Sequence, residues 1–347
     1  MLTFIGLYLT LTGFLVSASS KPGTLWVRLV CFVLGALLFA SVKSSRLGGA
    51  AVMPVFAAFG ALLMMANLLV SESIFGARSW MTLFDVTFQP SELLKVCTVF
   101  TLGYLAENRN YASSGLYALA VVLTFAAIND FGGALIIAVS YFAAAGITMI
   151  SAALGAAGMI ISLQSRHVLK RITAWGEAWT DPAGAGYQQT RAMTAVASGG
   201  LFGSGFRNGW LKNVAAADTD MTFAFVCEEA GLLFASSLVL AMSIIGFYAI
   251  KGDSSSRAAG ALLISQTLLN AAGSFDLLPF TGLTFPFVSR GGSSLIASWG
   301  LLAFIDWSEN TEKILCCRSA YSCTAWCSIN CYSKIYFGRR GLGNFRI

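Results

Sequence analysis

Charge is scarce in this chain. Its 347 residues include 22 Lys and Arg and 16 Asp and Glu, together 11%. A soluble domain carries about 25%. That deficit excludes a soluble enzyme, and the apolar excess excludes a disordered chain. Histidine is almost missing: His167 stands alone, so no His-rich metal centre can be built. There is no GxxxxGK[ST] loop and no HExxH. Gly203-Ser204-Gly205 followed by Gly209 does not make GxGxxG. ATP-driven transport, zinc proteolysis and binding of an organic cofactor therefore have no motif. The net charge of +6 is scattered through loops, without a basic stripe interleaved with aromatics, which argues against nucleic acid. Cysteine does not supply a secreted disulfide framework either. Cys31, Cys97 and Cys227 lie in apolar stretches as small core residues. Cys316, Cys317, Cys323, Cys327 and Cys331 crowd the C-terminal end, with no CxxC pair and no His for a metal.

What is present is apolar: 56% of the residues, in blocks of about 15–25, the length that crosses a ~30 Å hydrocarbon core as a helix. A β-barrel would show shorter alternating segments. The fold class is an all-α polytopic membrane protein. The first block, Leu2 to Val16, has no basic residue before it and reads as a transmembrane helix, not a signal peptide. Further blocks at about 25–42, 49–70, 91–106, 112–128, 131–148, 149–164, 222–250, 258–279 and 291–306 bring the expectation to ten helices. With the N-terminus inside, the short inner segments hold Lys43, Arg46, Arg109, Lys251, Arg257 and six basic residues of the tail. The short outer loops hold Lys21, Arg78 and Arg290. The bias puts both termini in the cytoplasm. Residues 1–310 are expected as one transmembrane domain. Residues 311–347 are read as a basic, Cys-rich cytoplasmic tail, a candidate disordered segment.

Between helices 7 and 8 the chain leaves the apolar pattern for a large extracytoplasmic loop, about 165–221. Its aromatics and turn signals (Asp181-Pro182, Gly199-Gly200, Gly203-Ser204-Gly205) predict a folded loop. Ionisable residues inside spans are costly and mark candidate functional positions. Glu92 and Lys95 share a helix face at i and i+3, and Asp130 opens the sixth span, so one Lys between two carboxylates would make a compact ion cluster. A helix clamp would use the same residues. Glu228 and Glu229 open the eighth span, where carboxylates suit the helix N-terminus. Asp218 and Asp220 lie just before it at the outer mouth.

Five stretches carry a family resemblance, in order. They are Gly76-Ala77-Arg78-Ser79-Trp80 with Phe88-Gln89-Pro90-Ser91-Glu92-Leu93 and Lys95; Asp130-Phe131-Gly132-Gly133-Ala134; Asp181 to Gln188 with Ser198-Gly199-Gly200; Asp218-Thr219-Asp220 with Glu228-Glu229-Ala230-Gly231; and Leu278 to Gly282 with Phe285 to Ser294. Together they resemble the SEDS family, the RodA, FtsW and SpoVE proteins, over roughly residues 5–307. The resemblance implies a peptidoglycan glycosyltransferase of the bacterial cytoplasmic membrane. Such an enzyme polymerises lipid II at the outer face, beside a class B penicillin-binding protein, in elongation, division or sporulation. It implies that Asp220 is the essential loop aspartate, that Trp80 is the outer-loop tryptophan, and that Glu92, Lys95 and Asp130 form the family's acid-Lys-acid cluster. The chain departs from the family's usual pattern at Asp218 (usually His), Asn129, Asp276 and Arg290 (often Tyr).

The chemistry is consistent with these residues. A glycosyl unit leaves a lipid diphosphate for a sugar 4-hydroxyl. A carboxylate can take the hydroxyl proton while cations hold the leaving diphosphate. Arg191 and Arg207, flanking the Gly-rich stretch, with Lys212, Arg78 and Arg290, are the candidate diphosphate ligands. Asp218 with Asp220 is a candidate pair for Mg2+ or Mn2+. Two other readings use the same residues: a flippase or transporter for lipid-linked precursors, and a weakly catalytic scaffold for a penicillin-binding protein.

Overall fold

A computed structural model describes residues 1–44, 49–70, 72–74, 77–83, 86–146, 169, 171–173, 175–184 and 186–320. Among the described residues nine long helices form a bundle. They are α1 (Leu2–Ser20), α2 (Leu25–Ser44), α3 (Gly49–Leu69), α4 (Pro90–Glu107), α5 (Tyr111–Ala127), α6 (Phe131–Ala145), α9 (Thr222–Lys251), α10 (Ser254–Ser274) and α11 (Gly292–Ala320). Two shorter helices precede α9: α7 (Tyr187–Gly199) and α8 (Ala217–Asp220). Each of these nine overlaps an expected span, most with ends within about five residues, while the last runs well past the expected 306. The expected seventh span, 149–164, lies outside the described residues, and so do 321–347 of the expected tail. Helix α11 continues to Ala320, across the start of that tail.

Between α3 and α4 the chain forms a three-stranded antiparallel sheet that the apolar pattern did not disclose: β1 (Glu72–Ile74), β2 (Ala77–Leu83) and β3 (Val86–Phe88), with β2 in the middle. Glu72 pairs with Trp80, and Met81 with Phe88. The strand ends where Gln89 turns extended and Pro90 takes the first helical position, a placement that wastes no backbone donor.

Four stretches, 2–20, 22–44, 52–69 and 222–251, are apolar and long enough to cross a bilayer on composition alone. Helices α4 and α10 are more polar, and their polar side chains turn inward: Glu92, Lys95, Gln266 and Asn270 are all buried. A polar residue at membrane depth is tolerated when protein surrounds it. The apolar core runs the length of the bundle, through Leu9, Leu94, Ile136, Leu262 and Trp299 among others.

The two ends of the bundle differ. At one end Lys43 pairs with Asp306 at 2.7 Å, Tyr248 reaches Met1 at 3.9 Å, and the Glu107 carboxylate accepts from the Ser254 N–H and hydroxyl. At the other end lie the sheet, the starts of α4, α6 and α11, and α8.

Helix α9 is broken where it leaves that end. Gly231 has φ +86° and ψ 163°, so the helix ladder lapses for one turn. The Gly-rich segment 200–205 fills the gap. Ser204 N–H donates to the Glu228 carbonyl at 2.8 Å and Gly205 N–H to that of Glu229 at 3.0 Å. Leu232 N–H donates to Gly200 O at 2.9 Å and Leu233 N–H to Leu201 O at 3.3 Å. Broken helices survive in membranes when other protein groups take the freed backbone bonds. A β-carbon on Gly231 would sit 2.3 Å from the Leu201 carbonyl oxygen, so this crossing requires glycine.

Candidate functional site

Asp220 ends the four-residue helix α8, one residue before α9 begins. Three elements converge on this short helix. Its own turn is set by Ala216 at φ 59°, whose carbonyl takes the Asp220 N–H at 2.8 Å. From α10, Asn270 donates through Nδ2 to the Asp220 carbonyl at 3.0 Å and to the Leu283 carbonyl at 2.7 Å, while its Oδ1 accepts from Phe223 N–H at 3.0 Å. From the segment before α11, Ser289 Oγ lies 2.9 Å from the Thr219 carbonyl and 2.7 Å from Thr222 Oγ1. Gly282 crosses close to the carboxyl, with the position of its would-be β-carbon 3.3 Å from Asp220 Oδ2.

The Asp220 side chain is half-buried. Burial pushes its carboxyl up to about 7 from an ordinary value of 3.8. The negative charges of Asp218 and Asp130 act in the same direction, and the Thr219 side-chain hydrogen bond and Arg171 act against them. Arg171 is tied to the roof of this region: its Nη1 donates to the Thr281 carbonyl at 2.8 Å, next to Gly282. Its charge is felt by both Asp130 and Asp220. Arg171 is not among the cations that the sequence singled out, Arg191, Arg207, Lys212, Arg78 and Arg290.

Asp218 is buried, and its Oδ2 is 2.6 Å from Arg290 Nε. Its carbonyl also takes the Arg290 N–H at 2.9 Å. Two departures from the family's usual residues thus stand against each other as an ion pair. Asp276, a third, accepts from the Gln189 side chain and from Gly176 N–H at 3.4 Å, while its carbonyl takes Trp175 Nε1–H at 3.0 Å. It straps the segment around Trp175, Gly176 and Gln189 to the end of α10.

The acid-Lys-acid cluster has a different geometry from the expected one. Lys95 Nζ pairs with Glu92 Oε1 at 2.8 Å, both side chains almost wholly buried. Among the described residues no ion pair joins Lys95 to Asp130. Asp130 instead caps α6, accepting from Gly133 N–H at 2.8 Å, and its charge acts on Arg171 and Asp220. A side chain at the first residue before a helix is drawn into capping, and that fixes which way this carboxylate faces. Glu228 and Glu229 also differ from expectation. Glu228 accepts from the N–H groups of Trp210 and Leu211, both at 3.0 Å, and Glu229 accepts from the Ser19 hydroxyl. They tie down the outer loop and α1 besides any interaction with the helix dipole.

The remaining predicted residues are dispersed. Trp80 is half-buried on β2, and Arg78 lies on the same strand opposite Ser73, with its side chain outside the described residues. Arg191 is exposed on α7, its guanidinium 5.2 Å from the Tyr187 ring centroid. Arg207 is exposed at φ 65°, and its carbonyl accepts from Lys212 Nζ at 2.5 Å. The glycines between Arg191 and Arg207 spend their backbone groups on the break in α9, not on an approach to a ligand.

As a cation site, Asp218 and Asp220 are a poor fit. One Asp218 oxygen is already engaged by Arg290, and among the described residues no three His, Cys, Asp or Glu side chains converge.

The comparisons with known proteins agree on one family. A profile of FtsW, RodA and SpoVE, described as cell cycle proteins, matches residues 1–311. A probable peptidoglycan glycosyltransferase FtsW of Escherichia coli O6:H1 is 31% identical over 289 residues, covering 73% of this chain and 69% of that protein. A peptidoglycan glycosyltransferase RodA of Mycobacterium bovis is 30% identical over 267 residues, 66% of this chain and 57% of that protein. Among solved structures, a chain of a peptidoglycan synthase complex, studied for the coordination of polymerization and crosslinking, is similar with a TM-score of 0.72 at 25% identity. That match covers 89% of this chain and 97% of the other. The rod shape determining protein RodA of Thermus thermophilus is similar with a TM-score of 0.61 at 25% identity, over 89% and 95%.

Proposed function

This chain belongs to the FtsW/RodA/SpoVE family, a membrane-embedded peptidoglycan glycosyltransferase, and we propose that Asp220 is the base of its polymerisation reaction. One observation carries that reading: a half-buried carboxyl at the end of the bundle, held by three elements and poised near neutrality. A general base works best with a pKa close to the operating pH, where it is both available and basic enough.

The substrate we infer is lipid II. The 4-hydroxyl of one sugar attacks the anomeric carbon of another, the carbon–oxygen bond to the lipid diphosphate breaks, and Asp220 takes the hydroxyl proton. Arg171, whose charge already acts at Asp220, faces the negative charge that builds on the departing diphosphate. Arginine suits that task because its planar fork meets phosphate oxygens in pairs. Exposed Arg191, Arg207 and Lys212, with Arg78, supply positive potential on the approach. Arg290 serves this site through Asp218, and Trp80 through the apolar part of the substrate. The Glu92–Lys95 pair fixes the start of α4 beside them.

The Asp220 end faces outward in this reading. The opposite end carries Lys43, Arg109, Lys251 and Arg257, the bias expected of a cytoplasmic face. Both termini are then cytoplasmic, and a class B penicillin-binding protein is the partner we propose for cross-linking the strands. The test is polymerisation of lipid II by purified protein. Wild type makes glycan strands and Asp220→Ala makes none. Transport of lipid II without strands would favour a flippase, and cell growth supported by Asp220→Ala would favour a scaffold.

A further inference from the structure

We propose that Arg28 is a positioning residue for Asp220, acting from the membrane interior through the turn at residues 285–290; this rests on reading Asp220 as the base. Arg28 lies one turn into α2, and only 2% of it is exposed. A cation placed among apolar helices is costly and is retained where it has defined partners. Among the described residues no carboxylate forms an ion pair with it. Its partners are carbonyls. Nη1 donates to Ser289 O at 2.7 Å, and Nη2 to Phe287 O at 2.6 Å and Val288 O at 3.3 Å. Nη1 also reaches Ser17 Oγ on α1 at 3.3 Å, and the Phe14 ring lies 5.4 Å from the guanidinium carbon.

Three consecutive carbonyls can point at one guanidinium only if the chain turns sharply. Phe287 has φ 64°, a left-handed conformation that is strained for a non-glycine residue and needs outside support. Arg28 provides it, with Ser298 Oγ, which takes the Phe287 N–H at 3.2 Å. Gly13 makes room. A β-carbon there would stand 1.8 Å from Arg28 Nη2 and 2.6 Å from the Phe287 carbonyl oxygen.

The opposite side of the same turn holds α8. Ser289 Oγ takes Phe285 N–H at 2.7 Å and contacts the Thr219 carbonyl and the Thr222 hydroxyl. Arg290 holds Asp218 through backbone and side chain. The line from Arg28 to the reacting carboxyl thus passes through Ser289 and Arg290 to residues 218 and 219, the two before Asp220. The Arg28 charge is also felt at Asp218 and Arg290. A displacement of about 1 Å at a reacting group can lower a rate about 100-fold, so the turn is a lever on kcat.

The experiment uses the full chain in nanodiscs with lipid II, comparing Arg28→Lys, Ser289→Ala and the double variant, with Asp220→Asn and wild type as controls. Lysine keeps the charge but gathers its donors on one nitrogen, losing the fork that reaches Ser289 O from Nη1 and Phe287 O and Val288 O from Nη2. Arg28→Lys is expected to lower kcat by about 10-fold or more, with KM changed less than about 3-fold, since the proposal concerns the reacting group and not substrate affinity. The double variant is expected to fall no further than the worse single one, because both act through one turn. A wild-type kcat for Arg28→Lys, or multiplicative losses in the double variant, would overturn the proposal. If Arg28→Lys does not fold, Ser289→Ala decides. A kcat loss at unchanged melting temperature supports the lever, and full activity refutes it. Active Asp220→Asn would instead defeat the reading of the base, whatever Arg28 does.

Discussion

Asp218 and Arg290 stand 2.6 Å apart, 7% and 23% exposed in their side chains. Removing one leaves the other's charge poorly solvated. A charged hydrogen bond of this kind is worth about 1.5–3 kcal/mol. Asp218→Asn and Arg290→Gln should each lower the melting temperature, and the double variant should lose less than the sum. Asp218→His with Arg290→Tyr should be tolerated better than either change alone, as read by polymerisation rate. Asp220 has a pH signature of opposite sign from a salt-bridged acid. Its folded pKa, about 7, lies above its ordinary 3.8, so the folded state holds the proton more tightly. The stability this contributes is full below about 4 and is lost as pH rises through 7. Asp220→Asn should therefore melt higher than wild type at pH 8, with the gap closing toward pH 4. Asp220 was legible from residue type and place in the chain, and more firmly from the family motif. Arg28 and Asn270 were not. One basic residue three positions inside an apolar run reads as a flanking charge, and one Asn there reads as a tolerated polar residue. Only the fold shows that their donors end on residues around Asp220.

At the scale of elements, the helices could be read because their apolar runs are long, and apart from the last helix, which runs on to Ala320, their ends fell within about five residues of expectation. The sheet between α3 and α4 was hidden because its strands are three to seven residues long, too short for alternation to show. The break in α9 was hidden for another reason. Gly231 sits inside the stretch 222–250 that reads as one helix, and its φ of +86° goes with a segment about 30 residues earlier in the chain. Gly231→Ala should cost at least about 2 kcal/mol, from a forbidden φ and a clash with the Leu201 carbonyl. A lowered melting temperature and loss of the Gly-rich segment's protection in hydrogen exchange would show it. The same change at Gly23, whose would-be β-carbon meets nothing within 4 Å, should be near neutral.

For the whole molecule, the contacts of Met1 with Tyr248 and of Asp306 with Lys43 gather these residues at one end of the bundle, and Asp220 lies at the other, where α9 starts. The proposed orientation, with that first end in the cytoplasm, rests on the basic bias. An impermeant thiol reagent should label Phe202→Cys, an 82% exposed position, from outside intact cells, and Lys251→Cys only after permeabilisation. These labels belong in a background with the native cysteines replaced.

The central claim is that one carboxyl, placed at the outer end by three elements and raised to about 7, removes the proton from the attacking hydroxyl. The direct measurement is the pH dependence of lipid II polymerisation by purified wild type and Asp220→Asn. A wild-type rate that rises through about pH 7 to a plateau, with the variant slower by about 100-fold or more at every pH, is the predicted result. A variant that polymerises at the wild-type rate, or a wild-type rate indifferent to pH between 5 and 9, would contradict it.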